Sequence, residues 1–127
     1  MRIELLVICI CLISLATPGL ATLPSDAQVI SLDQSVVGYA PGAYYKVDIS
    51  EPATLQVILE EVPAEMQTRI AIINEAGTWI ASEDTTSPGE KMTVEAGADA
   101  PGWYYIAILE LSGKTLADPY SFRVAAI

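Results

Sequence analysis

Carboxylates are the reactive side chains this 127-residue chain holds in number, with 16 Asp and Glu against 6 Lys and Arg and no histidine. The missing histidine removes the usual general base for an activated serine and the usual nitrogen ligand for zinc or copper. Cys9 and Cys11 are the only thiols. Both sit in an apolar N-terminal run and read as small hydrophobes rather than redox or metal groups. Each follows an isoleucine rather than a small residue, which does not suit a lipid-anchoring cysteine. No glycine-rich loop leads into a lysine in the phosphate-cradling arrangement. That leaves paired carboxylates, and Glu60-Glu61 and Glu83-Asp84 are adjacent in sequence. Neighbouring residues of a strand diverge to opposite faces, so neither pair spans a scissile bond as acid and base. The sequence therefore predicts no catalytic residue.

Two other chemistries remain. Hard cations are held by several oxygens at once, and Glu83, Asp84, Glu90, Asp99 and Asp118 all fall in predicted loops. They are scattered singly, without the dense Asp-x-Asp spacing of a dedicated calcium loop. A calcium ion at Glu83, Asp84, Asp99 and Asp118 stands against the simpler reading of solvated loop charges and no cofactor. The second chemistry is aromatic. Tyr39, Tyr44, Tyr45, Trp79, Trp103, Tyr104, Tyr105 and Tyr120 accompany a single Phe. Rings with a polar tip suit partly exposed surfaces that stack on sugars or peptide chains. With Tyr45 and Tyr104 inward, Tyr44, Trp103 and Tyr105 lie on the opposite face and form the candidate binding surface. The competing reading is that a second layer or a loop covers them. Alternation does not assign a face to Trp79.

Strands must position these rings. Residues 44–50 alternate Tyr45, Val47, Ile49 against Tyr44, Lys46, Asp48, the two-residue period of a strand with one buried face. Residues 54–60 repeat the pattern with Leu55, Val57 and Leu59 inward. Residues 69–74 and 78–82 read as a hairpin around Asn74-Glu75-Ala76-Gly77, with Gly77 in the left-handed position after a type I turn. Residues 91–95 and 120–124 alternate as well. Residues 103–111 are apolar on both faces, which marks the central strand. Ala40-Pro41-Gly42 and Ala100-Pro101-Gly102 precede two of these strands. Pro at the second and Gly at the third position predict type II turns there. The repeated Ala-Pro-Gly-x-Tyr-Tyr wording at 40–45 and 100–105 is shared corner chemistry rather than a duplication, because the inward parity shifts by one residue between the copies. Seven or eight short strands with regular turn signals and no amphipathic helix give an all-β fold, an antiparallel, jelly-roll-like β-sandwich.

Ahead of it, Arg2 is followed by an almost unbroken apolar run over residues 5–16, then Pro18, Gly19 and small residues up to Ala21. This is the pattern of a secretory signal over 1–21, too short to span a bilayer; retention as an anchor is the alternative. Residues 22–38 read as a leader with one edge strand over 28–32, and residues 39–127 as the sandwich. The predicted mature chain has no cysteine, so its core must hold without a disulfide. Loss of Arg2 and Glu4 leaves the net charge at −10. Such a surface excludes nucleic acid, whose recognition neutralises phosphates with Lys and Arg, and suits cations or basic partners.

The order of the segments resembles the bacterial pre-peptidase C-terminal domain. The likeness is carried by residues 44–49 as an opening strand, 53–57 as the next, 72–82 as a central hairpin, and the glycine-aromatic strand 102–108 followed by 120–124. It covers roughly residues 39–125. The resemblance implies a secreted β-sandwich that accompanies a catalytic domain, some members binding calcium or an extracellular polymer. Where family hairpins often carry aspartates before the turn, this chain has Thr68-Arg69-Ile70-Ala71. The expected function is a non-catalytic secreted or cell-surface module that binds, adheres to or stabilises an extracellular polymer or protein. The alternatives are a structural subunit of a surface layer or complex, or a small secreted hydrolase or hydrolase inhibitor.

Overall fold

A computed structural model describes residues 23–127; the expected signal over 1–21, Cys9 and Cys11 lie outside them. Nine strands follow in order: β1 (Gln28–Val29), β2 (Val36–Gly38), β3 (Gly42–Ile49), β4 (Ala53–Glu61), β5 (Thr68–Ile73), β6 (Trp79–Asp84), β7 (Thr93–Ala98), β8 (Gly102–Glu110) and β9 (Tyr120–Ala126). They form a five-stranded sheet in the order β1-β3-β8-β5-β6 and a four-stranded sheet in the order β2-β9-β4-β7. The two-residue period places Tyr45, Val47 and Ile49 of β3 and Leu55, Val57 and Leu59 of β4 in one core between the sheets, each at most 3% exposed. β8 lies in the middle of its sheet, as its two apolar faces require.

The structure adds to and corrects the sequence reading in three places. Residues 28–38, read as part of a leader with one edge strand, supply two: β1 pairs in parallel with β3 in the five-stranded sheet, and β2 pairs with β9 in the four-stranded sheet. The strand count is thus nine, and one pairing is not antiparallel. The predicted loop from Glu83 begins later, because Arg69 and Ile70 of β5 keep Asp84 and Glu83 in register on β6. The first Pro-Gly corner is not a type II turn with Pro41 second. The Ala40–Pro41 peptide is cis, and the Gly42 N–H donates to the Tyr39 carbonyl at 3.0 Å, which puts Pro41 third, where a type VI turn holds it. Gly42 is still demanded: its φ is 122°, and a Cβ there would collide with the Ile108 carbonyl. The β5–β6 turn follows its expected form, with the Gly77 N–H donating to the Asn74 carbonyl at 2.9 Å and Gly77 at positive φ.

A hydroxyl pair crosses the core. Tyr45 of β3 and Tyr120 of β9 meet oxygen to oxygen at 2.6 Å, and both are at most 1% exposed. Phe122 packs edge-on to Tyr45 with ring centroids 4.7 Å apart. Gly38 of β2 makes room for the pair, since a Cβ there would run into both hydroxyls. A buried hydroxyl without a partner is costly, so each tyrosine supplies what the other needs. Burial raises both phenol pKa values; the shared bond adds to the rise for Tyr120 and opposes it for Tyr45. Glu110, 5% exposed, organises the turn after β8. Its carboxylate accepts from the Ser112 hydroxyl and N–H, the Lys114 N–H and the Gln67 N–H. Burial alone would raise its pKa, but these donors outweigh it and hold the carboxyl at about 2, against an ordinary 4.5.

Tyr45→Phe or Tyr120→Phe should each lower the unfolding free energy in urea by about 1–3 kcal/mol, and the double variant by less than the sum. The tyrosines ionise near pH 10 when unfolded and higher when folded, so stability is lost as pH rises above about 10, and the double variant should lose less of it. Glu110 works in the opposite direction: its contribution is present above pH 4.5 and disappears as pH falls toward 2. Chemical denaturation across that window should show Glu110→Gln flattening the acid slope.

Candidate functional site

Once Tyr45 and Tyr104 are committed to the core, their neighbours on β3 and β8 have only the outer side of the five-stranded sheet. Antiparallel register then sets the rings side by side: Tyr44 lies opposite Ala107, Lys46 opposite Tyr105 and Asp48 opposite Trp103. On the other flank of β8, β5 places Ile73 beside Tyr105 and Ala71 beside Ala107. The result is a second apolar cluster, outside the sandwich core. Tyr105, Ile73, Ala71 and Ala107 are buried in it, with Tyr44, Trp79, Trp103 and Leu109 partly exposed around them. Leu23 and Ala27 pack on the same cluster. The three predicted surface residues therefore share one face, with Tyr105 at 9% exposure the covered member and Tyr44 and Trp103 half-buried.

Sequence reasoning missed several members of this face. Lys46 reaches over Trp103, its Nζ 4.8 Å from the ring centroid, a cation–π contact. The signal was present, since Lys46 shares the parity of Tyr44. Trp79 joins because a register shift between Ile72 and Ile73 brings Trp79 opposite Ile73; a bulge of this kind leaves no mark in the alternation. The face ends in an ion pair, Arg69 Nε to Asp84 Oδ1 at 2.8 Å and Nη2 to Oδ2 at 3.0 Å. The hydrogen bonds between these partners hold the Asp84 carboxyl below and the Arg69 guanidinium above their ordinary pKa values.

The opposite outer face differs in kind. On the four-stranded sheet Arg123 pairs with Glu60 at 3.2 Å and with Asp33 at 3.8 Å. Ser35 also donates to Glu60, and Gln56 to Glu95. Ion pairs and an amide mark one outer face, which also carries Val37 and Ile58, and aromatic rings mark the other.

The acidic candidates for a cation do not come together. Asp84 is engaged by Arg69, while Glu83 stands exposed on β6 and Asp99 just beyond β7. Glu90 caps its own loop, accepting from the Thr86 N–H and hydroxyl and the Ser87 N–H. These bonds, that from the Thr86 N–H foremost, lower its pKa. Asp118 lines a shallow hollow of about 470 Å3 that also contains Glu61 and Lys91. Among the described residues no three His, Cys, Asp or Glu side chains form a cluster able to hold a metal ion. No helix among them is long and apolar enough to cross a membrane.

Comparison with known proteins rests on the fold. No family model matches the chain, and no curated protein matches it. Among solved structures, the pre-peptidase C-terminal domain of collagenase from Bacillus anthracis is similar at a TM-score of 0.60 and 15% identity, covering 82% of this chain and 99% of that one. A β-glucosidase from Paenibacillus barengoltzii aligns at a TM-score of 0.42 and 17% identity, over 84% of this chain and 12% of that one. The first likeness shows that this chain has the fold of a pre-peptidase C-terminal domain; the second is too distant to add to it.

With the carboxylates dispersed, thermal unfolding should be indifferent to calcium. Melts in 5 mM calcium and in excess chelator are expected to share one midpoint, whereas a ligand that binds only the folded state would add about 2.7 kcal/mol of stability at 100 times its Kd and raise the midpoint.

Proposed function

We propose that this chain is a non-catalytic, exported binding module that engages an extracellular polymer or partner protein through the aromatic face of its five-stranded sheet. One observation carries the reading: the two outer faces of the sandwich are chemically unlike. The four-stranded sheet presents ion pairs and amides, whereas the five-stranded sheet presents Tyr44, Trp79, Trp103 and Leu109 around a buried apolar floor. Contiguous apolar surface of this sort is a mark of interaction sites. Tyr and Trp are the residues that carry binding energy in such places, combining large contact area with few rotatable bonds. The net charge of −10 keeps the module soluble, while the charges on the face itself, Lys46 and Arg69 against Asp48 and Asp84, balance. Export is supported by the charged start, apolar run and small residues over 1–21, and the sandwich fold fits an accessory role beside other exported proteins.

The test is retention on insoluble polysaccharides, collagen and cell envelope. Tyr44→Ala and Trp103→Ala should each reduce it at least tenfold, the loss expected for one hot-spot ring of about 1.4 kcal/mol or more. Gln56→Ala, on the opposite face, should leave it in place. Equal retention by all three variants would refute the assignment.

A further inference from the structure

Beside the Trp103 end of the aromatic face, the β5–β6 turn approaches the corner that leads into β8. Asn74, Glu75, Ala100, Pro101 and Trp103 are among the residues that enclose a hollow there of about 210 Å3. Gly102 brings Glu75 into its wall. A Cβ on Gly102 would lie 2.5 Å from Glu75 Oε1, so the carboxylate rests on bare backbone although the residue as a whole is exposed. The ion pairs formed among the described residues involve Asp33, Glu60 and Asp84 but not Glu75. Asn74 Oδ1 is already occupied, accepting from the N–H groups of Ala76 and Thr78. Among the described residues the hollow therefore offers one carboxylate that forms no ion pair, set against aromatic and prolyl walls.

We infer that this hollow receives a positively charged side chain, an arginine foremost, from a basic partner protein. The inference rests on the aromatic-face reading, because Trp103 belongs to both. Charge complementarity supports it at two scales. Glu75 is the local anion, and the whole chain, at −10, attracts basic partners and raises their encounter rate. The ring supports it as well, since Trp103 already holds the Lys46 ammonium over its face. A guanidinium fits better than an ammonium, being flat, weakly hydrated, able to stack on a ring and able to present two N–H groups to one carboxylate. A neutral or acidic group would leave Glu75 unmatched.

The experiment is a titration of the 15N-labelled protein with the peptide Ac-Gly-Ser-Arg-Gly-Ser-NH2 and with its norleucine analogue. The arginine peptide should shift the amide signals of residues 74–76 and 102–104 and the Trp103 indole signal saturably, and the norleucine peptide should not. Glu75→Gln should weaken the arginine peptide at least fivefold. Glu83→Gln, which removes the same charge from β6, should leave its affinity unchanged. Shifts spread over the whole acidic surface, equal weakening in both variants, or equal binding of the norleucine peptide would each overturn the inference. If the hollow fails these tests while Tyr44→Ala still abolishes envelope or polymer retention, the cation site falls and the aromatic face stands.

Discussion

The hydroxyl bond between Tyr45 and Tyr120 is the constraint to which the rest of this molecule answers. It joins the two sheets across their shared core, and neither hydroxyl can turn elsewhere without leaving a buried polar atom unsatisfied. Holding Tyr45 inward settles the parity of all of β3. Tyr44 and Lys46 must then face outward, and pairing with β8 brings Trp103 and Tyr105 to the same side. A bond in the core thus sets which rings face outward. Gly38 belongs to the same device, because any side chain there would displace both hydroxyls.

A five-stranded sheet with an apolar inner face needs no aromatic outer face, and the four-stranded sheet shows the ordinary alternative of charges and amides. The outer cluster arises because the middle strand, β8, alternates large apolar residues on both sides. Ala107 of β8 and Ala71 of β5 lie side by side as a flat floor, and Tyr44, Trp79 and Trp103 stand around it. Leu23 and Ala27 cover part of the cluster, so the reading of a bare face and the reading of a covered one each hold for part of it. Tyr105 is sheltered, while Tyr44 and Trp103 stay within reach of solvent.

Polar side chains at the strand ends shape what lies between. Glu110 gathers donors from the turn after β8 and from Gln67 before β5, tying one end of the sheet. At the opposite end Asn74 closes the hairpin, and Glu75 leans on the backbone of Gly102. Both ends use carboxylates, yet to different effect. Glu110 is nearly buried and saturated with donors, which makes it structural. Glu75 is open and, among the described residues, forms no ion pair.

The strands from β3 to β9, the turn positions and the inward sets of β3, β4 and β8 were legible in the residues alone, since a two-residue period and a Pro-Gly or Asn-to-Gly corner are local signals carried by consecutive side chains. The same periodicity already put Tyr44, Trp103 and Tyr105 outward. Which strands are neighbours is a non-local matter, and everything that depended on it needed the folded chain. The parallel pairing of β1, the reach of Lys46 to Trp103, the capture of Asp84 by Arg69 and the place of Trp79 beyond a bulge are contacts between segments far apart in sequence or shifted by one residue of register. Alternation says which way a side chain points relative to its neighbours in the chain; only packing says what it then touches.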